Sequence, residues 1–143
     1  MTRLELIQRV RAVTRDLSNS IFREQDIVSF INEGVDRFKQ YIPQLSKMNH
    51  LVETNSSPDI LPSQYHHLLA VYCSSRCFSQ DERHYQATTM MNEFETKLEE
   101  LKAAIDSADV VIIDPETGES ITEDNFVEYV TLKPYWGVER QIR

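Results

Sequence analysis

The sequence predicts a mainly α fold: an antiparallel bundle of about four helices followed by an extended or β arm at the C-terminal end. Three observations carry this. From 87 to 108, apolar or small residues recur at Ala87, Met91, Phe94, Leu98, Leu101, Ile105 and Ala108, one helical face held for about six turns. The whole chain has only three glycines, too few for a turn-rich barrel or a phosphate-cradling loop. After residue 108 the helical period stops, and Val110-Val111-Ile112-Ile113 reads as a β-prone run. Two segments result, a helical bundle over 1–108 and an extension over 109–143.

In chain order, Thr2 and Glu5 form a capping box that opens the first helix. Its stripe is Leu6, Val10, Val13 and Leu17, flanked by Leu4 and Ile7, with Arg3, Arg9, Arg11 and Arg15 mostly opposite. Ser18-Asn19-Ser20 ends it as a turn. A second helix runs from about Arg23 or Glu24 to Tyr41, with the stripe Ile27, Ile31, Val35, Phe38 and Ile42. Gly34 costs about 1 kcal/mol against alanine in a helix interior, so it marks a close helix crossing. Pro43 stops this helix.

Residues 44–62 form a long connection with a short extended segment at His50–Thr54 and turn chemistry at 55–59. The third helix offers Tyr65, Leu68, Leu69, Tyr72, Cys73 and Cys77 to the bundle, and the chain folds back near Gln80–Glu82 into the long fourth helix. Cys73 and Cys77, four apart without a second ligand pair, read as buried thiols and not as zinc ligands. His66 and His67 point about 100° apart on a helix and read as surface or core-edge residues, not as a catalytic pair.

The extension places Asp114-Pro115-Glu116-Thr117-Gly118 as a turn. A hairpin of Val110–Ile113 with Phe126–Leu132 is expected, followed by Lys133-Pro134-Tyr135-Trp136-Gly137. An isolated hairpin is marginal in water, so the arm must pack on its bundle or on a neighbour. Val110, Ile112, Phe126, Tyr129, Tyr135 and Trp136 are its candidate partner-docking residues, in an arm expected to be mobile in the free protein and ordered on assembly.

Charge and composition bound the function. Residues 1–50 hold eight Lys/Arg and six Asp/Glu, whereas 81–128 hold three against fourteen, within a net charge of −8 for the chain. Such a balance argues against tight DNA binding, which needs clustered cations. No apolar run approaches the roughly 20 residues of a membrane span, and Met1–Val10 lacks the apolar core of a secretory signal, so cytoplasm-like surroundings are expected. No nucleophile elbow, P-loop or zinc-protease pattern occurs. The chain is expected not to be an enzyme and to need no cofactor or metal. On residues alone it reads as a soluble helical domain that assembles, with a small bacterial helical interaction or regulatory module as one reading of its function.

Three runs add a resemblance. They are Leu61-Pro62-x-x-Tyr65-His66-x-Leu68-Leu69, Asp81-Glu82-Arg83-x-Tyr85 and Phe94-x-x-Lys97-Leu98-x-x-Leu101. With the opening helix and Asn32-Glu33-Gly34 in the Asp26–Tyr41 helix, residues 1–108 resemble the head-to-tail adaptor (connector) proteins of tailed bacteriophages. The resemblance rests on helix order and the Leu-Pro start of the third helix, and the extension departs from it. It implies a structural protein of the virion neck, assembled in the host cytoplasm. It also implies a homo-oligomeric ring, typically of about twelve copies, under a portal protein and above tail or nozzle proteins. Double-stranded DNA would pass through without tight binding.

Overall fold

The computed structural model describes residues 1–16 and 21–121. Four α-helices, α1 (Arg3–Thr14), α2 (Glu24–Tyr41), α3 (His67–Gln80) and α4 (His84–Asp106), precede two short strands, β1 (Ile112–Ile113) and β2 (Ser120–Ile121). The mainly helical bundle with a small C-terminal β element matches the expected fold class.

α1 opens on the expected capping box: Thr2 Oγ1 accepts from the Glu5 N–H at 3.2 Å, and Glu5 Oε1 accepts from the Thr2 N–H at 2.8 Å. Its buried face is Leu6, Ile7, Val10 and Thr14, a rotation of the expected stripe that leaves Leu4 and Val13 exposed. The helix stops at Thr14, because Arg15 turns left-handed at φ 62°. Leu17, the last residue of the expected stripe, lies outside the described residues.

α2 buries its whole expected stripe, with Ile27, Ile31, Val35, Phe38 and Ile42 all inaccessible. Pro43 ends it and starts a short 3-10 turn, Pro43–Leu45. Gly34 sits at the crossing with α3 as expected: a Cβ there would stand 3.2 Å from Leu69 Cδ2 and 3.3 Å from Tyr72 Cδ1.

The connection 46–62 contains no strand, so the extended segment at His50–Thr54 is a loop that bonds to helices. The Arg3 and Leu4 N–H groups, orphans of the first turn of α1, donate to Ser56 O (2.7 Å) and Thr54 O (3.0 Å). The Arg3 guanidinium donates to Val52 O at 2.7 Å, and the Leu51 N–H donates to Asn32 Oδ1 at 2.8 Å. Leu51, Ile60 and Leu61 then enter the core.

α3 is the axis of the molecule. It packs against α4, α1 and α2, and residues Leu68 to Ser75 are buried without interruption. A helix enclosed on three sides cannot have one apolar face. Its run of small residues (Ala70, Cys73, Ser74, Ser75, Cys77) lets the neighbours approach. α4 folds back after Glu82, left-handed at φ 60°, and buries Ala87, Phe94, Leu98 and Leu101. Met91 and Ile105 are half-buried and Ala108 is exposed, so the expected stripe is buried at Ala87, Phe94, Leu98 and Leu101 and not along its whole length. The Phe94 ring meets Phe38 and Tyr72 edge-on, with centroids 5.6 and 5.1 Å away.

Candidate interaction surface

The hairpin after α4 is shorter and tighter than the sequence predicts. Ile112 pairs with Ile121 and Ile113 with Ser120, antiparallel; Phe126–Leu132, the expected partner strand, lies outside the described residues. The reason lies at Asp114. Its N–H donates to Glu119 O (2.8 Å), its carbonyl accepts from the Gly118 N–H (2.7 Å), and its Oδ1 accepts from the Glu116 N–H (2.9 Å). Lys47 Nζ adds an ion pair at 2.8 Å. These bonds close the turn within a few residues, with Gly118 at φ 73° where an L side chain is strained. The Lys47 hydrogen bond, then the Glu116 N–H, hold the Asp114 carboxyl below its ordinary value.

The pleat decides which arm residues face the bundle and which face outward. Of the six expected docking residues, Ile112 is 1% exposed and part of the bundle's own core, and Val110 is half-buried against it. Ile112 is thus packed inward in the monomer and not presented at the surface. Successive strand residues face opposite ways, so Val111 and Ile113, each 54% exposed, stand outward instead. It also brings the first part of the arm, through Ile112, into the monomer. Phe126, Tyr129, Tyr135 and Trp136 lie outside the described residues.

The arginines of α1 divide. Arg3 ties the long connection to the helix, as above. Arg11 donates to Asp16 Oδ2 (2.8 Å) and to Phe22 O (3.0 Å). Asp16 also accepts from the backbone N–H groups of Ile21 (3.0 Å) and Phe22 (2.9 Å). These two arginines are structural and not a solvated face. Arg9 and Arg15 remain exposed.

Cys73 and Cys77 are buried thiols, as read from their spacing. Burial first, then the neighbouring Cys77, pushes the Cys73 thiol well above its ordinary range. Among the described residues no group of three or more His, Cys, Asp or Glu is placed to hold a metal. His66 lies at the edge of the core. Its Nε2–H donates to Leu61 O at 2.7 Å, and its Nδ1 accepts from the Met1 ammonium at 2.6 Å. Burial lowers its pKa against the opposing pull of the Leu61 carbonyl.

Two ends of the bundle carry the features that face outward. Where α1, α3 and α4 meet after Thr14, a pocket of about 410 Å³ is lined by Val13, Arg15, Phe78, Arg83 and Gln86. Tyr85, 83% exposed, follows Arg83 in sequence. At the other end, a cleft of about 240 Å³ runs between residues 47–51 and 56–60, bordered by Pro115. No family model, curated protein or solved structure matches the chain.

The acidic half of the chain is partly balanced on its own surface. Glu95 pairs with Arg37 at 2.7 Å, bridging α4 to α2, while Lys97–Glu100 (3.5 Å) and Lys102–Asp106 (3.4 Å) pair along α4. Glu93 and Glu99 form no ion pair among the described residues and leave the outer face of α4 negative. No described helix is long and apolar enough to cross a membrane. The described surface thus carries outward apolar residues at its hairpin and unpaired carboxylates along α4.

Proposed function

We propose that the chain is a structural virion protein, a head-to-tail adaptor that assembles as a ring under the portal of a tailed bacteriophage and lets DNA pass to the tail. The observation that supports this best is the helix order with its turn from Leu61-Pro62 into α3. That order pairs a short central helix with a long α4 and returns the chain at Asp81-Glu82-Arg83, the arrangement expected from the resemblance over 1–108. The free carboxylates of α4 support it second, since they repel phosphates and leave a passing duplex mobile. The outward Val111 and Ile113 give the hairpin an apolar face for the portal or a neighbouring subunit.

Mixing the purified chain with portal-bearing heads of the phage that encodes it tests this. The expected result is co-sedimentation of the chain with the heads in multiple copies per portal, closing the neck against DNA loss. Heads that neither retain the chain nor change in DNA leakage overturn it.

A further inference from the structure

We infer that the acidic turn of the hairpin, Pro115–Glu119, docks into the arginine-lined pocket at the far end of a second copy of this chain. The inference builds on the assembly reading by naming the surfaces that meet.

The pocket is a preformed receiver for carboxylates. Arg15 stands at its rim, exposed, and forms no ion pair among the described residues. Arg83 sits 5.6 Å over the Phe78 ring, so that one face of its guanidinium is held by the aromatic wall. Its Nε pairs with Asp81 at 2.9 Å in a half-exposed contact. Gln86 adds an amide, and Val13 an apolar side. Two guanidiniums beside an aromatic and an aliphatic surface fit an acidic turn that carries a proline.

The turn is equally preformed. Four bonds from Asp114, to Glu116, Gly118, Glu119 and Lys47, hold it, which reduces the ordering cost on binding. Glu116 and Glu119 project from it exposed, and neither carboxylate forms an ion pair among the described residues. Pocket and turn therefore carry opposite charge, unpaired among the described residues at Arg15 on one side and at Glu116 and Glu119 on the other.

They cannot meet within one molecule. The pocket lies at the start of α4 and the turn beyond its end, and the 23 residues of that helix separate them by about 35 Å. Complementary patches at opposite ends of one chain make a heterologous contact, which repeats from copy to copy until it closes.

Sedimentation equilibrium on the wild-type chain and three variants tests this: Arg15→Glu; Glu116→Lys with Glu119→Lys; and all three changes together. None of these side chains is buried, and circular dichroism checks that each variant stays helical. Either one-sided variant is expected to weaken self-association by at least about tenfold, with the triple variant recovering most of the loss. Raised salt should weaken the wild-type association. A wild type that stays monomeric, one-sided variants that associate like wild type, or a triple variant without recovery overturns the contact. A chain that joins portal-bearing heads with no dependence on these charges keeps the adaptor reading and loses this contact. Association through these charges without head attachment does the reverse.

Discussion

Arg11 Nη1 and Asp16 Oδ2 form an ion pair at 2.8 Å just beyond the last turn of α1, with the Asp16 side chain fully closed off from water. The carboxylate is saturated by donors: the guanidinium and the N–H groups of Ile21 and Phe22. It therefore fastens the end of α1 to the start of the segment that leads into α2. Removing one partner of a buried pair strands the other, at about 3–5 kcal/mol. Asp16→Ala and Arg11→Ala should each lower stability by about 3 kcal/mol in urea unfolding. A loss under about 1 kcal/mol for both would show that the pair is dispensable.

Burial ranks the apolar positions. Leu98 and Leu101 are inaccessible at the centre of α4, so alanine at either should cost about 2–5 kcal/mol. Ile112→Ala should fall in the same range, while Val111→Ala and Ile113→Ala stay within about 0.5 kcal/mol. Thermal melts of the five variants check the order. Equal shifts at 111, 112 and 113 would contradict the pleat described above.

Gly34 gives a competition between two effects of known size. Alanine gains about 1 kcal/mol of helix propensity, but its Cβ meets Leu69 and Tyr72 at 3.2 and 3.3 Å. Tyr72 is restrained by Phe94 and by its hydroxyl bond to Glu33 at 3.1 Å. Gly34→Ala should therefore be close to neutral, whereas Gly34→Val should destabilise by about 2 kcal/mol or more. Stabilisation by both would place α2 and α3 further apart than they are.

His66 sets a pH dependence. Its folded pKa lies below the ordinary 6.5 because burial disfavours the charged ring. The unfolded imidazole therefore takes up a proton first as pH falls through 6.5. The stability linked to this residue is complete above that value and declines below it, until the folded pKa is reached. Unfolding free energies at pH 7.5 and 5.5 should show a smaller acid loss in His66→Gln, whose amide keeps a donor toward Leu61 O. An unchanged slope would remove His66 as the cause.

Duplex DNA should bind the isolated chain no better than weakly, even at low salt, because 81–128 carry three basic against fourteen acidic residues. Fluorescence anisotropy with a labelled duplex measures it. Sub-micromolar binding at physiological salt would point to Arg9 on α1 and Arg15 at its C-cap, both of which remain exposed.

Period and punctuation were enough for the elements that bury one face or end on a clear stop. The α2 stripe, the Thr2–Glu5 capping box, the Pro43 stop and the Gly34 crossing are all local chemistry, and local chemistry is legible along a chain. Three features were decided in three dimensions. α3 became the axis because α1, α2 and α4 enclose it, and a helix buried all round has no face to read. Arg3 and Arg11 look like any arginines on an amphipathic helix until the long connection brings Val52 O to one and the chain reversal brings Asp16 and Phe22 O to the other. The hairpin turn rests on the bonds of Asp114, one of which comes from Lys47, 67 residues away, and the inward turn of Ile112 and outward turn of Val111 and Ile113 follow from the bundle it lies on. A strand's period of two says that neighbours face apart; only the packing of the bundle beneath says which of them faces in.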